Sequence, residues 1–125
     1  MFRLKKGNFL PDETVMLETL LYPKAIAIIG ASRNPDKVGY AVVANLVNSG
    51  FKGPIILVNP GTDEILGLKC YKSLGEYTGQ IDLSIIMVAG KYVKDALNDS
   101  IKAGAKSVIV ITAGFREVGR EGAQA

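Results

Sequence analysis

Residues 25–32 read AIAIIGAS, an apolar run that ends in a glycine and two small residues. Three more runs rich in Ile and Val lie at residues 55–58, 83–88 and 107–111. All four runs are apolar almost throughout and do not alternate between apolar and polar residues. Strands with this pattern are covered on both faces, as in parallel sheets. The runs therefore predict parallel strands with helices on either side of the sheet.

Two segments between these runs have the spacing of amphipathic helices. Apolar residues recur at i, i+3, i+4 and i+7 within residues 38–47, and a similar spacing recurs within residues 91–101. Each segment is followed by a glycine, Gly50 or Gly104, which is typical of helix ends. The strand–helix–strand unit occurs twice. This predicts the α/β fold class, as a single domain with a Rossmann-like, doubly wound parallel sheet.

The segments outside these units are less regular. Between residues 59 and 82 we predict a short strand at Leu68–Tyr71 and a turn of helix after Ser73. Residues 1–15 are predicted to be a solvated N-terminal extension, and residues 16–125 to be the domain itself. Only the first turn of a further helix follows the fourth strand, so we expect the domain to be truncated at its C-terminal end.

The composition excludes several classes of function. The 125 residues include 15 Lys and Arg against 12 Asp and Glu, and the net charge of +3 lacks the strong basic excess of a nucleic-acid-binding protein. Histidine is absent, which excludes imidazole general bases, histidine-containing zinc sites and Ser-His-Asp triads. The apolar runs are too short to cross a bilayer. We therefore predict no nucleic-acid partner, no membrane partner and no metal site.

Cys70 is the only cysteine, so no disulfide can form within the chain. This fits a reducing compartment, and we predict that the protein is cytoplasmic. Because Cys70 lies in the predicted short strand, we interpret it as a packing residue and not as a redox centre.

The carboxyl ends of the strands are the expected ligand site, because open parallel sheets bind ligands there, near the point where strand order reverses. The loop after the first strand (residues 30–37, the first loop) begins with three small residues, Gly30, Ala31 and Ser32. Small residues let a phosphate group approach backbone N–H groups at the positive end of a helix. The first loop is thus a candidate phosphate site. The alternative is a plain turn between strand and helix, with Asp36 as the N-cap.

The first loop departs from the patterns of NAD-binding and ATP-binding loops. The G-x-G-x-x-G fingerprint is missing, because the next glycine after Gly30 is Gly39. The second strand ends at Asn59 and Pro60, where a dinucleotide-binding enzyme has an Asp or Glu for the ribose hydroxyls. No G-K-[ST] motif follows Gly30, which excludes a P-loop. These departures disfavour NAD as the ligand and exclude the binding of ATP through a P-loop.

Two basic residues, Arg33 and Lys37, bring positive charge to the first loop. They suit a ligand that carries an additional phosphate group. Exposed basic residues are equally common on solvated surfaces, so both interpretations stay open at this point.

Five blocks of sequence resemble one known family. They are YPKAIAIIGAS (residues 22–32), KVGY (37–40), VNP (58–60), LGLKCY (66–71) and ITAGF (111–115). In this order they closely resemble the CoA-binding domain that opens the NDP-forming acyl-CoA synthetases. These enzymes are the ADP-forming acetyl-CoA synthetases and, more distantly, the succinyl-CoA synthetase α subunit. The resemblance covers the chain from about Leu17 to its end, and it implies a Rossmann-like domain whose strand-end loops hold coenzyme A.

The resemblance also implies which residues bind CoA. The first loop lies along the nucleotide end of CoA, the turn after the second strand lines the same cleft, and residues 112–114 receive the pantetheine arm. An adenine would pack against an apolar strand-end residue such as Val88. In the succinyl enzymes a lysine follows the Pro-Gly of the turn after the second strand. Thr62 stands at that position here, so a phosphate contact by such a lysine is not carried over to this chain. The expected CoA-binding residues are Gly30, Ala31, Ser32, Arg33, Lys37, Asn59, Pro60, Val88, Thr112, Ala113 and Gly114.

Enzymes of this family interconvert acyl-CoA, ADP and phosphate with the free acid, ATP and CoA. Their phosphohistidine and their nucleotide-binding grasp domain lie outside the CoA-binding domain. We therefore expect ATP or ADP and Mg only in those other domains, and no catalysis from this chain alone. The resemblance implies CoA and the remaining domains or β subunit of the synthetase as partners. An exposed sheet edge at the truncated end is expected to promote self-association.

Two other functions stay open. The first is a stand-alone CoA-binding protein of the same superfamily, with a regulatory or carrier role and no catalysis. Small single-domain members begin with a similar strand, but the pattern at residues 112–115 favours the synthetase. The second is a nucleotide-sensing module that binds NAD, which the missing second glycine and the missing acidic residue disfavour.

Overall fold

The computed structural model describes residues 20–111 of the chain. The predicted N-terminal extension (1–15) and the predicted pantetheine-binding residues (112–114) lie outside the described residues. Within 20–111 the elements are, in chain order, β1 (Ile26–Ile29), α1 (Val38–Asn48), β2 (Ile55–Val58), β3 (Glu64–Ile65), β4 (Leu68–Tyr71), a 3-10 turn (Leu74–Glu76), β5 (Leu83–Ile86), α2 (Gly90–Lys102) and β6 (Ser107–Val110).

The strands form one sheet in the order β3-β4-β2-β1-β5-β6. β1 runs parallel to both of its neighbours, so that Ile26 is paired with Ile55 on one side and with Leu83 on the other. β2 with β4 and β5 with β6 are also parallel, and among the described strands only β3 runs antiparallel, against β4. The predicted α/β fold with a Rossmann-like, doubly wound sheet is thus confirmed.

β1 is buried on both faces. Successive residues of a strand point to opposite faces of the sheet. Ala27 and Ile29 belong to one core cluster, which includes Ala96 of α2. Ile28 belongs to a second cluster, which includes Val43 of α1. Because each face of the sheet is covered by a helix, every position of β1 is apolar, and this accounts for the unbroken run in the sequence.

The two helices end where the sequence predicts. Gly50 has φ +80° and follows α1, and Gly104 has φ +84° and follows α2. Both glycines adopt the left-handed conformation that terminates a helix. Within residues 20–111 the structure has no helix long and apolar enough to cross a membrane.

Strand boundaries differ from the prediction at the carboxyl edge. β5 ends at Ile86 and β6 at Val110, each sooner than its apolar run. The chain after β5 stays beside β1, since the Met87 N–H still donates to the Ile29 carbonyl oxygen (2.7 Å). The last apolar residues of these runs therefore lie in the loops that form the edge of the sheet, close to the expected ligand site.

The segment between β2 and β5 contains one strand that was not predicted. The predicted short strand at Leu68–Tyr71 is confirmed as β4, and the predicted turn after Ser73 is the 3-10 turn. β3 is only two residues long and pairs with β4 through a tight turn at Leu66, which has φ 52°. A strand this short has no periodic pattern to detect.

A buried pair of hydroxyl groups joins α2 to the sheet. Ser84 of β5 and Ser100 of α2 are both fully buried, and their Oγ atoms lie 2.7 Å apart. Buried polar groups need a hydrogen-bonding partner, and here each hydroxyl is the partner of the other. The pair fixes the position of α2 along β5 at a point where the surrounding residues are apolar.

Replacement of Ser84 by Ala should lower the free energy of unfolding by about 1–3 kcal/mol, because the Ser100 hydroxyl then stays buried without a partner. The double variant Ser84→Ala, Ser100→Ala should lose less than the sum of the two single variants. Urea unfolding of the four proteins measures this coupling. Strictly additive losses would show that the two hydroxyls do not depend on each other.

Candidate ligand-binding site

The order of the strands reverses at β1. The chain leaves β1 through α1 and returns on one side as β2, and it later crosses to the other side of β1 as β5. The loops after β1 and β5 therefore diverge at the carboxyl edge of the sheet. A crevice opens between such loops, and open α/β sheets bind their ligands in it.

Gly30 directly follows β1 and is enclosed by the ends of both neighbouring strands. Its φ of +100° is one that residues with a side chain rarely adopt. A Cβ atom at Gly30 would overlap the carbonyl oxygen of Met87, just after β5. On the other side, the Gly30 N–H donates to the carbonyl oxygen of Val58 at the end of β2 (3.2 Å). Any side chain here would push the three strand ends apart.

Gly39, the second residue of α1, lies against the first loop. A Cβ atom at Gly39 would overlap the carbonyl oxygen of Gly30 and would lie 3.2 Å from the backbone nitrogen of Ser32. The missing side chain lets α1 begin directly beside the end of β1. In dinucleotide-binding loops the last glycine of the fingerprint allows the same close packing of helix and strand. Gly39 fills that structural role here at a different spacing.

The N-terminus of α1 has no side-chain cap. The prediction that Asp36 is the N-cap is wrong, because Lys37 occupies that position with φ −97°, ψ 148° and no side-chain hydrogen bond to the helix. Asn34 organises the turn instead, since its Oδ1 accepts the Asp36 N–H (2.9 Å) and its carbonyl oxygen accepts the Lys37 N–H (3.0 Å). The first turn of α1 also contains no acidic residue. No acidic residue of the first turn therefore compensates the positive end of the helix, and the nearest carboxylate in the sequence is that of the exposed Asp36, just before the N-cap.

Asn59 joins the first loop to the second loop (residues 59–63). Its Nδ2 donates to the carbonyl oxygen of Ala31 (2.8 Å), and its Oδ1 accepts the N–H of Gly61 (2.7 Å). Its own N–H donates to the carbonyl oxygen of Tyr71 at the end of β4 (3.0 Å). A carboxylate at this position accepts hydrogen bonds but does not donate them. The contact with Ala31 therefore requires an amide, where dinucleotide-binding domains have an acid.

A cavity of about 540 Å³ lies beside the two loops. Its lining comes from Arg33 and Tyr40, from the Pro60–Leu66 segment and from Lys72. Arg33 connects the two loops here, because its Nη1 donates to the Oγ1 of Thr62 (3.4 Å). The cavity thus extends from the first loop to the hairpin of β3 and β4.

Charged side chains of both signs line this cavity. Lys72 follows β4, and its Nζ lies 3.5 Å from the carbonyl oxygen of Pro60 and 3.8 Å from Oδ1 of Asp63. Arg33 is the second cation of the lining, and Glu64 is the second carboxylate. Lys72 was not among the predicted site residues. It reaches the site because β4 pairs in parallel with β2, which brings the carboxyl ends of both strands to one edge.

Most of the predicted site residues lie together at this edge. Val88 lies beside the first loop, since its Cγ1 is 3.2 Å from the position that a Cβ atom on Gly30 would take. The Lys37 residue is exposed and is not part of the cavity lining. The predicted residues that the structure brings together are Gly30, Ala31, Ser32, Arg33, Asn59, Pro60 and Val88.

Cys70 is buried in β4 and does not provide a reactive thiol. Cys70 is 7% exposed and packs in the core cluster on the α1 side of the sheet. Burial raises the pKa of the thiol above its usual value of 9.0, the charge of Asp63 raises it further, and Arg33 opposes this shift. The thiol is therefore protonated at neutral pH, in agreement with a packing role.

The fold defines the chain as a Rossmann-like domain, and the candidate ligand site lies where strand order reverses. The family model described as a CoA binding domain matches residues 24–124. The chain belongs to this family of CoA-binding domains.

Several relatives are ADP-forming synthetases. The chain is 48% identical over 103 residues to the ADP-forming acetate–CoA ligase of Methanocaldococcus jannaschii, over 82% of this chain and 14% of that protein. The structure of acetyl-coenzyme A synthetase 1 from Ca. Korarchaeum cryptofilum, in complex with phosphate and ADP, is 44% identical with a TM-score of 0.75, over 84% of this chain and 23% of that one. The chain thus spans less than a quarter of these synthetases.

A second similar structure is that of a conserved hypothetical protein from Pyrococcus furiosus. It is 34% identical to the chain with a TM-score of 0.65. The match covers 73% of this chain and 77% of that protein. The same domain therefore also resembles a protein of which it makes up most of the length.

Replacement of Gly39 by Ala should destabilise the fold by about 1–3 kcal/mol, because the added Cβ atom displaces the backbone of the first loop. The matched control is Gly90→Ala in the first turn of α2, where a Cβ atom meets only open space. The control should change stability by less than about 0.5 kcal/mol. Thermal unfolding followed by circular dichroism tests both variants. Equal melting temperatures for the two would contradict the close packing of α1 on the loop.

Proposed function

We propose that this chain is the CoA-binding domain of an ADP-forming acyl-CoA synthetase and that CoA binds in the crevice at the carboxyl edge of the sheet. The observation that carries the proposal is the junction of the first loop with α1. Small residues, Gly30–Ser32, lie beside a helix whose N-terminus has neither a side-chain cap nor an acidic residue in its first turn. Backbone N–H groups and the helix dipole favour phosphate at such a junction.

In this proposal the nucleotide end of CoA lies along the first loop. The diphosphate contacts the backbone of Gly30, Ala31 and Ser32, which carries no bulky side chain. Arg33 and Lys37 supply positive charge to the phosphates from the end of the loop. Both residues are exposed, so they are accessible to a ligand that approaches this edge.

The remaining parts of CoA occupy the flanks of the crevice. Adenine packs against Val88, next to Gly30, while Asn59 and Pro60 close the cleft on the side of β2. Residues 112–114, which follow β6 in the sequence, receive the pantetheine arm. An amide-rich arm of this kind is suited to hydrogen bonds with backbone groups.

The role of this domain in catalysis is to bind and orient CoA. The proposed reaction is that of the resembled family: acyl-CoA, ADP and phosphate give the free acid, ATP and CoA. This chain contains no histidine, so it does not supply a phosphohistidine. In the proposal, phosphate transfer belongs to the remaining domains or to the β subunit, toward which the thiol of CoA extends. A lone, buried cysteine is compatible with action in the reducing cytoplasm.

A second candidate function is a stand-alone CoA-binding protein with a regulatory role. The similarity to the Pyrococcus furiosus protein, of which the match covers 77%, favours this candidate. Both candidates bind CoA at the same site, but they differ in their protein partner. Stable association of the chain with a synthetase β subunit distinguishes them, because only the synthetase domain needs that contact.

Isothermal titration calorimetry of the full chain should show CoA binding tighter than about 1 mM, and no binding of NAD or ATP at that concentration. Arg33→Glu should weaken CoA binding by at least about fivefold, because it places a carboxylate beside the phosphates. The matched control is Lys106→Glu, which reverses an exposed charge just before β6, at the amino edge of the sheet. This control should bind CoA as the wild type does.

Two outcomes would contradict the proposal. Preference for NAD over CoA would overturn the choice of ligand. Equal CoA affinity of the wild type and Arg33→Glu would remove the first loop from the site.

A further inference from the structure

Two cationic side chains converge on the second loop. Nη1 of Arg33 lies 3.4 Å from Oγ1 of Thr62, and Nζ of Lys72 lies 3.5 Å from the carbonyl oxygen of Pro60. Pro60 and Thr62 are separated by one residue, so both cationic groups lie close to the same short turn. Both also line the cavity of about 540 Å³.

This turn is held directly beside the first loop. The side chain of Asn59, which precedes it, donates to the carbonyl oxygen of Ala31 (2.8 Å). Arg33 itself belongs to the first loop. A phosphate group that branches from such a ligand beside the first loop, on the side of β2, therefore meets Arg33 and Lys72.

Lys72 is held only weakly by its present partners. Its side chain is 62% exposed, and the side chain of its ion-pair partner Asp63 is 96% exposed, with 3.8 Å between Nζ and Oδ1. Exposed pairs of this kind contribute little to stability. A phosphate dianion carries more charge than a carboxylate and accepts more hydrogen bonds, so it competes well for the ammonium group. Glu64 is the other carboxylate of the lining, and it is exposed to solvent.

We infer that Lys72 is a specificity-determining residue, which together with Arg33 binds the phosphate monoester on the ribose of CoA. The inference rests on the proposed function, since it assigns one part of the same ligand. Lys37 does not line the cavity, which excludes it from this role. Its proposed contact remains the one with the diphosphate. Lys72 thereby makes the site selective for CoA over dephospho-CoA, which lacks the monoester.

The test titrates the full-length chain with CoA and with dephospho-CoA in the calorimeter. Lys72→Ala should weaken CoA binding by about fivefold and leave dephospho-CoA binding within about twofold of the wild type. Asp63→Asn should tighten CoA binding, because Lys72 loses the carboxylate that competes with phosphate. The matched control is Lys69→Ala, three residues earlier in β4, where the exposed ammonium lies 4.6 Å from the centroid of the Tyr71 ring and outside the cavity lining. This control should bind both ligands as the wild type does.

The outcomes separate the inference from the proposed function. If the wild type binds CoA but Lys72→Ala binds both ligands unchanged, or loses both equally, the inference is wrong and the proposed function stands. A selective loss of CoA in Lys37→Ala instead of Lys72→Ala also overturns the inference. If the wild type binds neither ligand, the proposed function itself fails. Circular dichroism of each variant confirms that the exposed substitutions leave the fold intact.

Discussion

β1 is covered by apolar packing on both faces and is hydrogen-bonded to a parallel strand on both edges. A strand in this position cannot be followed by a hairpin, because each parallel neighbour is reached only through a crossover. The chain therefore leaves β1 through α1 and returns to the two sides of β1 at different points of the sequence. The crevice above Gly30 is a direct consequence of this arrangement, so the site follows from the burial of one strand.

The shape of the site depends on contacts that exclude side chains. Gly30 and Gly39 bring the end of β1, the segment after β5 and the start of α1 within a distance that a Cβ atom would prevent. Asn59 then ties the second loop to the first through its side-chain amide. The result is a backbone-lined surface at a positive helix end, with charged side chains only at its margin. Such a surface suits a phosphate group better than it suits an apolar ligand.

The sequence predicts the parallel sheet and both helices because burial on two faces leaves continuous apolar runs and helical periodicity. The first loop could also be located, since small residues followed Ile29 at a strand end. β3 could not be predicted, because two residues carry no period. The N-cap was placed one residue too early at Asp36, since the sequence does not show that Asn34 organises the turn. Lys72 was missed because its position depends on the pairing of β4 with β2, a long-range contact.

The most direct test of this account is a titration of the ¹⁵N-labelled chain with CoA, followed amide by amide in NMR spectra. The account predicts that the amide signals of Gly30, Ser32 and Thr62 shift as CoA is added. Signals from Gly53 and Gly104, which precede β2 and β6 at the amino edge of the sheet, should stay in place. Shifts confined to the amino edge, or none at the first loop while CoA binds, would contradict the account.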